Sequence, residues 1–370
     1  MLVVFSTALL FFAGGMAAGL FLGQQELFSR WRQTGLISPF VADSQKNKSL
    51  NQYSLNNLKD YPFATSQIKV GEVLNHGEGF TEYPFTYQTM GKTMSGLLTV
   101  PVSLPKNQAD QKVIIMLRGW VPTEDYVSGI GTSPAARFFA QQGYITLAPD
   151  FFGYGQSDSE PADTWEARFI KPLNVIELIK SVREYGVAEV GLQPQTNLYL
   201  WAHSNGGQIA LSVLEVLSEP IPTTLWAPVT APFPYSILFF SDELEDEGKE
   251  QRAYIGLFEK NYNTFDFSVT QHLDRLTGPI QIHHGTADEA ALKTWSDEFL
   301  AKIDQENTRR EKLKTENLDL ETSSQAELYT GPIEPIKYQY FVYPGADHNL
   351  KPVVNWNLAV NRDLGFFVRY

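Results

Sequence analysis

Residues 198–211 read LYLWAHSNGGQIAL, and this stretch limits the fold more than any other. An apolar run, Leu198 to Ala202, stops at His203-Ser204-Asn205-Gly206-Gly207, after which Ile209, Val213 and Val216 recur at helical spacing. A strand that becomes a helix within so few residues needs small side chains at the corner, because Cβ atoms there collide with neighbouring backbone. The corner also pushes its central side chain, a hydroxyl, out of the path of the chain.

The surrounding text alternates in the same way. FTYQTMGKTMSGLLTVPV reads as an antiparallel hairpin around a glycine, and KVIIMLRGW as a strand buried on both faces. A helix is expected over 134–142, then the strand YITLAPD, a long helix over 165–187, the corner stretch and the short strand TTLWAPV. An aromatic and acidic segment, 231–275, precedes the strand PIQIHHG and a helix over 289–304. IKYQYFVYPG is the last strand and VVNWNLAVNRDLGFFVRY a closing helix. Strands alternating with helices predict an α/β fold, a mostly parallel sheet with helices on both faces, in one domain over 65–370. Residues 305–332, charged and mixed in sign, read as a solvated insertion.

A serine hydroxyl is a poor nucleophile until a base takes its proton, and the base works best when a carboxylate fixes its tautomer. An acid and a histidine are therefore expected after later strands. PIQIHHGTADEAA places Asp288 in one such loop, and YQYFVYPGADHNL places His348 in another. The order Ser204, Asp288, His348, each after its own strand, is that of a nucleophile-elbow hydrolase. Asp347 adjoins His348 but projects differently, so Asp288 is preferred as the acid. His203 suits a packing or orienting role. His283 and His284 point to opposite faces of a strand and do not share a metal; they read as structural, and no metal or organic cofactor is called for.

From about residue 65 to the end the chain resembles an α/β-hydrolase of the dienelactone-hydrolase and prolyl-oligopeptidase-like (S9) group. AHSNGG matches the elbow, HGTADE the acid loop, GADH the histidine loop and APDFFGYGQSD the loop after the fourth strand of the family sheet. The resemblance implies the α/β-hydrolase fold, with Ser204 as nucleophile, Asp288 as acid, His348 as base and the Asn205 backbone N–H as one oxyanion donor. The elbow has Ala202 where the family pattern has glycine. The loop that usually begins His-Gly reads Arg118-Gly119-Trp120, which puts the second oxyanion N–H around Trp120. Arg118 replaces a histidine or, in prolyl oligopeptidases, a tyrosine that donates its hydroxyl. No β-propeller is read before the domain.

Arg118, Tyr126, Phe233, Tyr235, Phe239 and Phe240 are candidates for a substrate pocket, the last four from the cap-position segment. The acidic run SDELEDEGKE reads as a solvated helix face, or else as a device that draws in a cationic substrate. Lys and Arg total 29 against 42 Asp and Glu, a net charge of −13 that argues against nucleic-acid binding. There is no cysteine, which excludes disulfides and a thiol nucleophile.

Residues 2–22 carry no charge, and at 1.5 Å per residue they span about 30 Å, the thickness of a bilayer core. With no basic start, this reads as a retained single transmembrane helix (1–23) rather than a cleaved signal, followed by a polar stalk over 24–64. Gly15, Gly19 and Gly23 at four-residue intervals offer a homodimer contact. The expected protein is thus a membrane-anchored serine hydrolase acting on a peptide or ester. An S9-like peptidase ranks first, a carboxylesterase second and a non-catalytic membrane-tethered binding domain third.

Overall fold

A single twisted sheet organises the chain. The computed structural model describes residues 46–194, 197–241, 246–320 and 331–370, without the side chains of 46–49, of Gln108 and of 316–320. Its strands are β1 (Lys69–Val70), β2 (Asn75–Gly77), β3 (Phe80–Thr89), β4 (Lys92–Pro101), β5 (Lys112–Leu117), β6 (Tyr144–Pro149), β7 (Asn197–His203), β8 (Thr223–Trp226), β9 (Ile280–Gly285) and β10 (Tyr338–Tyr343). They run in the order β1-β3-β4-β6-β5-β7-β8-β9-β10, with β2 beside β3. From β6 to β10 all neighbours are parallel. β3 and β4 form the expected antiparallel hairpin, and β4 pairs antiparallel with β6.

The central strands read as continuous apolar text because both faces are covered. Every residue of β6 and β9 is buried, as are Val113 to Leu117 of β5. The main helices are α1 (Ser133–Gln141), α2 (Thr164–Phe169), α3 (Lys171–Tyr185), α4 (Asn205–Leu217), α5 (Lys249–Asn261), α6 (Lys293–Leu320) and α7 (Val353–Arg369). α4 and α3 help build the larger core on one face, while α1 and α7 close the other through Phe139 and Phe367. β5 is flanked by β6 on one side and β7 on the other, so the strand order reverses between β5 and β7. Ligands of open parallel sheets bind outside the carboxyl ends of strands at such a reversal. Two loops meet there, the one after β5 and the one after β7.

Several boundaries differ from the sequence reading for identifiable reasons. The long helix expected over 165–187 is two helices, broken at Lys171-Pro172, where proline sits in the first turn of α3. α6 does not stop near 304 but continues through the charged text to Leu320. It is not wholly solvated: Arg310 is fully buried, and its Nη2 donates to the carbonyls of Leu273 and Leu276 at 3.0 and 2.9 Å. Residues 321–330 lie outside the described residues, as does the expected membrane anchor with Gly15, Gly19 and Gly23. Among the described residues no helix is long and apolar enough to cross a membrane.

The packed chain begins earlier than the expected boundary near 65. A 3-10 helix at Lys46–Tyr53 and a helical turn at Leu55–Leu58 bury Leu50, Tyr53, Leu55 and Leu58 in the main core. Glu177 of α3 accepts from Ala64 N at 2.9 Å, and Ser181 Oγ from Ser66 N at 3.0 Å, which fastens the segment leading into β1. The polar composition of this stretch conceals four anchoring apolar side chains. Leu58→Ala is therefore expected to lower the free energy of urea unfolding by about 2–5 kcal/mol, the range for emptying a leucine site in a core. A solvated stalk residue would change it by less than about 0.5 kcal/mol.

Candidate active site

Ser204 stands between β7 and α4 at φ 57°, ψ −124°, a strained conformation for a residue with a Cβ. Three backbone hydrogen bonds hold it there. Its N–H donates to Trp226 O at 2.9 Å, and its carbonyl accepts from Gly207 N at 2.9 Å and Val229 N at 3.0 Å. Helix α4 can approach β5 this closely only because Gly206 has no side chain: a Cβ there would drive into Leu117 O and stand 2.7 Å from Arg118 O. The smallness expected at the first elbow position is met by Ala202, which is fully buried.

Asp288 and His348 come together from the loops after β9 and β10. His348 Nδ1 lies 2.9 and 3.0 Å from the two carboxylate oxygens of Asp288. Oδ1 of Asp288 also accepts from Ala290 N and Ala291 N, both at 2.9 Å, and His284 Nε2 stands 3.3 Å from Oδ2. Burial acts to raise the Asp288 carboxyl, but hydrogen bonds from His284 and His348, with the field of His348, hold it well below the usual carboxylate range. The ionised Asp288 accepts a hydrogen bond from the Nδ1–H of His348, which fixes the tautomer and leaves the Nε2 lone pair to accept a proton.

His203 ties this pair to the elbow. Its Nε2 donates to His348 O at 2.9 Å, and the two imidazole rings are 4.7 Å apart between centroids. Burial, followed by the charge of His348, pushes His203 down to about 4, so it is a neutral strut at ordinary pH. Its orienting role agrees with the sequence reading. Among the described residues no hydrogen bond joins Ser204 Oγ to His348; in sites without substrate this contact is commonly long and tightens on binding.

The loop after β5 lies against the nucleophile: a Cβ at Gly119 would be 2.8 Å from Ser204 Cβ and 3.3 Å from Oγ. Arg118 is buried and does not line an open pocket. Its Nη1 donates to Gly119 O and its Nη2 to Asp150 O, both at 2.9 Å, with the guanidinium 4.1 Å above the Tyr154 ring and 4.4 Å above Tyr126. Asp150 is itself fully buried, accepting from Tyr126 Oη and Ser95 Oγ at 2.6 Å and Ser128 Oγ at 2.8 Å. Tyr126 is thus engaged as part of this support. Trp120 is half exposed on the same loop.

The four aromatic pocket candidates do not converge. Phe233 is buried among Trp165, Phe169 and Phe258, inside the contact between the 231–275 segment and α2. Tyr235 is exposed. Phe239 and Phe240 pack together on Trp295, beside Val229 from the loop after β8 and Ala291 from the acid loop. Asp347 is a turn cap, its Oδ1 accepting from Asn349 N and Lys351 N at 2.9 Å each. His283 faces the other side of the sheet, on Asp363 Oδ1 at 2.9 Å and Tyr343 Oη at 2.7 Å. His284, read from sequence as structural, lies against the acid; its position four residues before Asp288 was the available signal. Of the acidic run, 242–245 lie outside the described residues.

No family model matches the sequence, and no curated protein matches it. Solved structures do. Acetyl xylan esterase 1 from a Thermoanaerobacterium species is 14% identical, with a TM-score of 0.53 over 89% of this chain and 99% of that one. An acetyl xylan esterase from a Paenibacillus species is 12% identical, with a TM-score of 0.52 over 90% and 96%. Dipeptidyl peptidase 4 from Porphyromonas gingivalis is 12% identical, with a TM-score of 0.51 over 85% of this chain and 37% of that one. The chain has the α/β-hydrolase fold.

The depressed Asp288 carboxyl has a consequence for folding. It contributes stability that is present above the unfolded value, about 3.9, and is lost as pH falls below it. Urea unfolding between about pH 4.5 and 2 should fall less steeply with pH in Asp288→Asn than in the unmodified chain. An unchanged slope would mean that Asp288 is not held ionised by His348 and His284.

Proposed function

We propose that this protein is a serine hydrolase of carboxylic esters. The observation that carries the reading is the Asp288–His348 pair, 2.9 Å at its shortest, docked through His203 onto the strained elbow that presents Ser204. Ser204 Oγ attacks the ester carbonyl carbon while His348 Nε2 takes its proton. The tetrahedral intermediate then expels the alcohol, which receives that proton from the imidazolium. Water, deprotonated in turn by His348, releases the acid and restores Ser204.

The oxyanion is assigned to the backbone N–H groups of Asn205 and Trp120, each lowering the barrier by on the order of 3 kcal/mol. Arg118 supports the second of these. A trans peptide directs its C=O and N–H to opposite sides, so a guanidinium holding Gly119 O turns the Trp120 N–H away from itself. The arginine that replaces a family tyrosine or histidine thereby orients a donor rather than acting as one. Phe239, Phe240 and Trp295 supply an apolar wall for an acyl or alkoxy group.

Ester hydrolysis is placed ahead of the peptidase reading that ranked first from sequence. The structurally similar esterases correspond to this chain over nearly their whole lengths, while almost two thirds of the similar peptidase lies outside the match. The uncharged run 2–22 supports tethering of this hydrolase to a membrane.

A panel of p-nitrophenyl acyl esters beside aminoacyl and prolyl p-nitroanilides tests the reading. Esters are expected to be turned over and anilides not, with Ser204→Ala lowering kcat at least about 10³-fold. Faster cleavage of an anilide would return the peptidase to first place, and Ser204→Ala with full turnover would remove the serine mechanism.

A further inference from the structure

The chain's net charge is −13, yet two cations, Arg168 and Lys171, line one cavity beside the elbow helix. A narrow cavity is lined by Arg168, Lys171, Asn205, Gln208, Phe169 and Ile209, among others. It offers about 30 Å³ to the centres of water-sized groups, room for about two waters and hence for a carboxylate head. Arg168 reaches it from the last turn of α2, with Nη2 donating to the neutral Gln208 Oε1 at 2.7 Å. Lys171 reaches it from the first turn of α3. Neither forms a salt bridge with a carboxylate among the described residues.

The surroundings make these cations costly. Burial pushes Arg168 down to about 10. Lys171 is pushed to about 8, first by burial and then by the like charges of Arg118 and Arg168, with Glu160 opposing only as the weakest influence. An unpaired, partly desolvated cation is destabilising unless something negative joins it. The cavity's polar wall also includes Tyr53, whose hydroxyl donates to Glu166 Oε1 at 2.8 Å, Ser212, and Asn205, the first residue of the 13-residue helix α4, whose N-terminus favours an anion. Asn205 directly follows Ser204, which ties the cavity wall to the elbow.

We propose that this cavity is a carboxylate subsite, and that the preferred substrates are esters carrying a second, free carboxylate that docks between Arg168 and Lys171. The proposal rests on the serine-esterase reading for its place in the reaction, but its ligand chemistry stands on the cavity alone.

Binding to Ser204→Ala, which cannot turn substrate over, tests it. Monomethyl succinate and methyl butanoate are similar in length and differ in one charge. By calorimetry the anion is expected to bind about tenfold tighter or more, the worth of one charge-assisted contact. That preference should vanish in Ser204→Ala/Lys171→Met and return in Ser204→Ala/Lys171→Arg, which restores the charge. Equal binding of the two ligands to Ser204→Ala overturns the subsite, as does a preference that survives Lys171→Met. Stronger competition by inorganic phosphate than by monomethyl succinate would also overturn it, in favour of a phosphate site. The ester panel with unmodified Ser204 separately reports failure of the hydrolase reading.

Discussion

The backbone of Ser204 is held in a conformation that costs of the order of 1–3 kcal/mol in isolation, and much of the surrounding structure is arranged so that it persists. Trp226 of β8 accepts its N–H, Val229 and Gly207 donate to its carbonyl, and Gly206 lets α4 press against the end of β5. Neighbouring elements on both sides of the elbow over-determine one residue. The strain has a geometric product: the hydroxyl stands clear of the chain at the start of a helix, with amide N–H groups beside it.

The groups around that hydroxyl are arranged by charge. An ionised carboxylate sits behind one imidazole, and a second imidazole, kept neutral by burial, braces the loop from which the first projects. Three cations also lie near the elbow. Arg118 is absorbed by two backbone carbonyls and two tyrosine rings, whereas Arg168 and Lys171 line a cavity and form no salt bridge among the described residues. The acid–base pair meets the elbow through His203 and the two cations share a cavity with Asn205, each with a distinct chemical consequence.

What could be read in advance was whatever depends on neighbours in sequence. A run of apolar residues ending in Ser-Asn-Gly-Gly specifies a strand, a corner and a helix without help from the rest of the fold, and the loops bearing Asp288 and His348 follow strands of equally plain text. The hidden parts depend on tertiary contact. Nothing local distinguishes the buried Arg310 from its exposed neighbour Arg309, or Phe233 inside one aromatic cluster from the exposed Phe239 against Trp295. Leu50, Tyr53, Leu55 and Leu58 were obscured by the Asn, Gln and Ser around them. Arg118 looked like a pocket residue because its hydrogen-bond partner Asp150 O comes from the next parallel strand's end. Arg168 and Lys171 are separated by a helix break, and only folding gives them a common cavity with Asn205.

The central claim is that Ser204 is made nucleophilic by His348. Reaction of the intact protein with a fluorophosphonate, followed by mass mapping of the modified peptide, addresses it most directly. A single adduct on Ser204, formed at a rate that collapses in His348→Ala, is the predicted result. An adduct on another residue, or labelling of Ser204 that proceeds undiminished without the imidazole, would contradict it.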